Sequence, residues 1–188
     1  MSDHDSRQPA VDVLRECFGR VHDELPSLLE GLTPDQVLWR PGPDANPIGW
    51  LVWHLLRVQD DHLAGVAAGL GRPVEQVWPQ HEGRFGLPYD TATVGYGQSS
   101  EDVAAFAVGD VAPLLDYAQA VAGLTDGVLG GMSDADLARQ VDTFDGEAIT
   151  AQVRLVSVVG DITQHLGQAA YVRGLAEAAR RGVSRAGR

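Results

Sequence analysis

The 188-residue chain contains no lysine; all 14 of its basic residues are arginine, against 26 acidic residues. A net charge of −12 argues against a nucleic-acid groove, because such sites draw much of their affinity from cations placed on phosphates. The four arginines near the end (Arg180, Arg181, Arg185 and Arg188) make only a small basic tail. Cysteine is nearly absent too. Cys17 stands alone, so no internal disulfide can form, and its place on an apolar helix face suits a small buried hydrophobe better than a catalytic thiol. No run of about 18 apolar residues occurs, which leaves no membrane-spanning helix to expect. Met1-Ser2-Asp3-His4-Asp5 is polar and acidic, unlike the basic-then-apolar start of a signal peptide. These absences lead to the expectation of a cytoplasmic protein with no nucleic-acid or membrane partner.

What is present is helical periodicity. A chain of this length, 44% hydrophobic, fits one domain spanning residues 1–188, with residues 1–7 and 183–188 expected to be flexible. Val11, Leu14, Phe18, Val21, Leu25, Leu28 and Leu32 recur every three or four residues, predicting a first helix from about Gln8 to Gly31 with a bend at Pro26. Asn46-Pro47 opens a second helix that reaches Gly69. A third is expected from Ser99 or Ser100 through Val128, kinked at Pro113. After a short helix at Ser133-Asp134-Ala135-Asp136 and a loop or brief extended piece from Val141 to Ile149, Thr150 caps a fourth helix ending near Gly182. The fold class expected is all-α, a four-helix bundle. The stretch from 70 to 100 has little helical pattern and carries Trp78, Phe85, Tyr89 and Tyr96. Loops of that length are often functional; its aromatic residues and Arg84 are candidates to line or cover a pocket, with packing over a bundle end the equal alternative.

The chemistry is concentrated on the fourth helix. Asp161 and His165 are four residues apart, one turn above the other on the same face. At about 100° per residue, Arg154, Ser157, Gln168 and Val172 fall within roughly 40° of them. Most other positions there are apolar or small, as in a helix buried nearly all round. A buried carboxylate and imidazole need partners: a metal ion satisfies both, and an internal Asp–His hydrogen bond is the alternative. His54 on the second helix is the third candidate ligand. His62 lies about 80° around that helix and roughly 12 Å along it. Donors sit about 2 Å from zinc, so His54 and His62 cannot share one ion. Gln168 is placed to support the ligands. Asp61 shares the His54 face near a pocket mouth. Arg57 and Arg154 could hold carboxylates of a thiol or substrate, or neutralise Asp61 and Asp161.

Three segments carry a family likeness. Asn46-Pro47-Ile48-Gly49-Trp50-Leu51-Val52-Trp53-His54-Leu55 with Arg57-Val58-Gln59-Asp60-Asp61-His62 resembles the second-helix motif of DinB-like metalloproteins. Arg84-Phe85-Gly86-Leu87-Pro88-Tyr89-Asp90 with Gly95-Tyr96-Gly97, and Asp161-Ile162-Thr163-Gln164-His165-Leu166-Gly167-Gln168, are similar to the actinobacterial branch described as mycothiol S-transferases. The likeness covers roughly residues 10 to 176. It implies an up-down-down-up bundle and one divalent metal on His54, Asp161 and His165. Zinc is the first expectation, with nickel or iron suited to the same donors. Many relatives have histidine where this chain has Asp161; an acidic residue is usual in the transferase branch. The function implied is transfer of a mycothiol-like thiol cosubstrate to a small electrophile, with Arg84 and Tyr89 near the entrance and a homodimer compatible with the scheme. The alternative is a non-catalytic, stress-associated metal-binding protein of the same bundle.

Overall fold

The stripe on the first helix is buried as a unit. Val11, Leu14, Phe18, Val21, Leu25 and Leu28 all face the core of α1 (Pro9–Leu29), which keeps Pro26 inside its last turn. The computed structural model describes residues 8–186, and side chains as far as residue 181. The expectation of flexible ends lies outside the described residues at 1–7, 187 and 188, while 183–186 continue the last helix. The one-turn helix α2 (Pro34–Val37) starts on a capping box made by Thr33 and Gln36. Pro47, in extended conformation, then launches α3 (Ile48–Gly69).

α3 is the central helix. Every residue from Ile48 to Asp60 is buried, including His54, Arg57, Gln59 and Asp60. The helix is covered because α6 (Val111–Gly130) and α7 (Ala151–Ala186) flank it, and the segment 70–99 lies over a further face. That segment winds through a 3-10 turn at Trp78–Gln80 and the short α4 (Glu82–Phe85). Trp78 and Phe85 are buried against Tyr117 of α6, with ring centroids 5.2 and 6.0 Å away. These two aromatic residues are packed into the core, the alternative to lining a pocket.

Cross-bundle contacts give the helix directions. His22 and Gln59 meet at one level. On α6, Tyr117 meets Asp60 and Val128 lies near Ala67, so α3 and α6 run parallel. His54 meets His165 while His62 feels Arg154, so α7 runs antiparallel to α3. Ser27 and Leu28 accept from Arg173, whereas Ala10 and Val13 lie by Val153, so α1 and α7 are parallel. The path is up-down-down-up, and the crossing segment 70–99 is what permits the parallel pair.

Two expectations need correction, and a third gains detail. The third helix is broken into α5 (Ser100–Ala104) and α6. Asp110 accepts the Ala112 N–H at 3.0 Å and starts a new helix, with Pro113 in its first turn where a missing N–H breaks nothing. Of the loop or brief extended piece expected at 141–149, the extended form is present, as a hairpin of β1 (Gln140–Phe144) and β2 (Glu147–Thr150) turned at Asp145-Gly146 with φ of 49° and 82°. α7 is not buried all round: Val153, Val156 and Tyr171 are 50, 61 and 70% exposed. With Val13 and Leu14 of α1, the two valines line an open groove of about 750 Å³.

The centre of the bundle also holds a titratable group. His22 sits 2.9 Å from Gln59 Nε2, and Gln59 in turn donates to Thr125 Oγ1 at 2.7 Å. Burial lowers the His22 pKa below its ordinary 6.5, against the raising effect of the Gln59 hydrogen bond. The unfolded chain therefore binds the proton first as pH falls. The stability contributed by neutral His22 is complete above about 6.5 and is lost as pH drops through the folded value. Melting temperature should fall between pH 7.5 and 5.5, and fall less in His22→Gln, as read by calorimetry at both pH values.

Candidate metal centre

The site grows from one ring on α3. His54 is 5% exposed and stacks on Trp50, one turn earlier, with centroids 4.7 Å apart and planes 14° from parallel. Trp50 is itself fixed by a 2.8 Å hydrogen bond from its Nε1 to Gln98 Oε1. The His54 Nδ1 atom lies 2.5 Å from the carbonyl oxygen of Val94. A carbonyl only accepts, so the proton sits on Nδ1 and the lone pair of Nε2 is left for a ligand role. Gly95 makes this approach of the backbone feasible. Its φ is +96°, and an added Cβ would stand 2.7 Å from His54 Nδ1.

α7 brings the other two donors. The His165 ring is 4.6 Å from that of His54, edge to face. His165 Nδ1 meets Gln168 Oε1 at 2.9 Å, while its Nε2 lies 3.6 Å from Asp161 Oδ2. Both histidines thus have Nδ1 held by an oxygen acceptor, the arrangement that orients metal-bound imidazoles. One ligand atom from each of His54, Asp161 and His165 lies within 4.8 Å of the other two. Burial holds the His54 pKa below 6.5; neighbouring His165 adds to this, and the Val94 hydrogen bond and Asp161 oppose it. His54 is consequently neutral at neutral pH, as a ligand must be.

The donor set fits a divalent cation. Asp161 Oδ1 is buried and finds no hydrogen-bond partner among the described residues. Such an orphaned carboxylate oxygen is costly, and a cation between it and two imidazole lone pairs removes the cost. A plain Asp–His hydrogen bond would not account for it, since Oδ2 faces His165 at a distance of 3.6 Å.

The remaining predicted site residues divide. Gln168 supports His165 as the spacing suggested. Asp61 is beside the site on α3, accepting from Gln76 Nε2 at 2.9 Å and lying 3.6 Å from His62 Nδ1. Arg154 pairs with Asp142 of β1. Burial and the Arg154 charge push the His62 pKa down, opposed by Asp61, Asp142 and Asp161. Asp61, His62, Arg154 and Asp142 therefore make a mixed-charge cluster next to the ligands.

Arg57 is not presented to a substrate: it is fully buried and bonded only to protein. Arg84 is turned towards α6, where it pairs with Asp116. α6 is diagonal to α7 in the bundle, so this cation points away from the ligands. Tyr89 donates to the Asp102 carbonyl at 2.8 Å and packs 5.3 Å from the Trp53 ring; burial raises its pKa to about 12. The loop's real contribution is backbone, the carbonyl of Val94 and the bare Cα of Gly95. Sequence reasoning missed both, although Gly95-Tyr96-Gly97 was a signal of unusual backbone.

Comparison with known proteins agrees with the fold. The family profile described as DinB superfamily matches residues 18–169. A crystal structure described as the conserved protein of locus from Enterococcus faecalis superimposes with a TM-score of 0.77 at 27% identity, covering 89% of this chain and 96% of that one. No curated protein matches.

Two outcomes are expected of the isolated site. Asp161→Ala and His165→Ala should each remove most of about one bound divalent ion per chain, measured by elemental analysis of untagged protein. Gly95→Ala should weaken zinc binding about tenfold or more while the far-ultraviolet circular dichroism stays unchanged.

Proposed function

This chain belongs to the DinB superfamily, and from that premise we propose that it is a single-domain, divalent-metal-dependent S-transferase joining a mycothiol-like small thiol to a small electrophile. The observation that supports this most is the donor set of two histidines and one carboxylate, with an orphaned Asp161 oxygen. Three protein ligands are the mark of a catalytic site with open positions, whereas structural zinc is closed by four. Zinc suits these donors, and nickel or iron suit them as well. A bound divalent cation would supply the positive charge that lowers the pKa of a nearby thiol.

The chain's own residues do the rest. Val94 and Gln168 hold the two rings with Nε2 forward. Trp50 covers one face of His54 and keeps water from it. Asp61, His62 and Arg154 border the ligands. Arg154 offers a cation for a carboxylate of the thiol or electrophile, which would displace Asp142 from it. In the transfer, the thiol sulfur bonds to the electrophilic carbon, the leaving group departs with its electron pair, and the thiol proton passes to solvent. A reducing cytoplasm, where free thiols persist, is the compartment this chemistry asks for. A homodimer through Val13, Val153 and Val156 would cover that apolar surface.

Conjugation of a small thiol to an electrophile, followed with metal-loaded and chelated protein, tests the reading. Activity should need the metal, vanish in His54→Ala with the fold intact, and be unchanged in Cys17→Ser. Arg154→Ala should raise KM for carboxylate-bearing thiols more than it lowers kcat. Equal rates with and without metal would leave a non-catalytic metal-binding protein.

A further inference from the structure

The buried polar residues of α3 just beyond His54 do not face the cluster of ligands, yet they are tied to it through the backbone. Arg57 is fully buried and uses its whole fork. Nε donates to the Thr93 carbonyl at 3.2 Å and Nη2 to the Thr91 carbonyl at 3.3 Å. Nη1 reaches Gln76 Oε1 at 3.0 Å and Tyr117 Oη at 3.4 Å. Asp60, equally buried, is its ion-pair partner at 3.5 Å. Asp60 also accepts the N–H groups of Val77 and Trp78, at 3.0 and 2.8 Å, and the Tyr117 hydroxyl at 2.8 Å. One ion pair thus grips the crossing segment at both ends, 77–78 by the carboxylate and 91–93 by the guanidinium. The next carbonyl after Thr93 is that of Val94, which takes the His54 Nδ1 proton.

We propose that Arg57 is a positioning residue for the metal: by holding the strap 91–93 it places the Val94 carbonyl that fixes the His54 ring and its Nδ1–H tautomer. Loss of the grip frees the strap, and the ring then exchanges tautomers and orientations, so Nε2 is presented only part of the time. A lysine cannot replace it, because two carbonyls and two side-chain oxygens are met by one planar fork and an ammonium has no such geometry. The part of this inference that concerns affinity rests on the metal reading above; the part that concerns the ring does not.

The test uses the full chain in three variants. Arg57→Lys keeps a charge beside Asp60 and loses the fork. Thr93→Gly leaves the ion pair intact and slackens the strap, so it decides the matter if Arg57→Lys does not fold. Val121→Ala, a cavity in α6, is the control for stability alone. Two quantities are read: zinc affinity by chelator competition, and the ¹⁵N shifts of the His54 ring in metal-free protein. Wild-type His54 should show a single Nδ1–H tautomer. Both strap variants should show averaged ring shifts and bind zinc about tenfold or more weakly, as for other supports of a metal-bound histidine. Val121→Ala should match wild type in both. Wild-type ring shifts in Thr93→Gly and in any folded Arg57→Lys protein would overturn the proposal, as would zinc affinities within twofold of wild type. If wild type binds no zinc, the metal reading fails, and the ring shifts still decide the role of Arg57.

Discussion

A guanidinium and a carboxylate, neither with any access to solvent, face each other across one turn of α3. Moving such charges out of water costs several kcal/mol each, and their attraction offsets this only when every remaining donor and acceptor is satisfied. Here they are: four of the five Arg57 N–H directions and both Asp60 oxygens meet protein partners. The Trp78 ring stands 5.1 Å from the guanidinium carbon and closes the cage. An apolar pair of the same volume would pack as well, but could not accept from two backbone amides and donate to two carbonyls. What the ion pair provides is therefore register. It sets where the crossing segment lies on α3, and the site depends on that placement.

The topology explains why such a clamp is needed. α3 and α6 are parallel, so the chain must travel the length of the bundle between them. A crossing segment of this length has few helical hydrogen bonds of its own, and its backbone groups need partners when buried. Asp60 and Arg57 supply them. In return the segment delivers a backbone carbonyl, that of Val94, to His54 Nδ1. The ligands come from two antiparallel helices, while the orienting groups come from a loop and from Gln168, a turn beyond His165. The site is thus shared among segments more than 100 residues apart, with each part held by a different kind of local order.

That distribution decides what could be read from the sequence. Local periodicity revealed the long helices, the cap at Thr150, and the shared face of Asp161 and His165, because each is settled within a few residues. The pairing of His54 with them is non-local, and only the motif around it, set against known bundles, brought it forward. Burial was attributed to the wrong helix. α7 looked apolar all round, yet as a corner helix it shows Val153 and Val156 to solvent, while α3, with Arg57, Asp60 and Asp61 along it, is the helix buried over most of its length. Arg57, at a helical position beside His54, was open to reading as a substrate ligand until its partners were known. The hairpin was signalled by Asp145-Gly146, but strands this short and largely exposed have no apolar alternation to announce them. Gly95 could be recognised only with the His54 ring in place above it.

The carboxylate among the ligands has a consequence for the chemistry. Two neutral imidazoles and one carboxylate would leave a bound divalent ion with a formal charge of about +1, against +2 in a three-histidine site. The lower charge reduces the pull on a fourth ligand, and favours a group that ionises readily. A thiol, with an ordinary pKa near 8.5, needs far less help to ionise at neutral pH than water at 15.7. The surroundings act in the same direction: Asp61 and Asp142 lie close by, and Arg154 is the one cation in that cluster. Nearby carboxylates oppose any anion that forms among them, and a thiolate, whose larger sulfur spreads its charge, is the less demanding one to hold. A donor set of two imidazoles and one carboxylate, with Asp161 as the carboxylate, would thus ask little of a soft nucleophile that ionises readily.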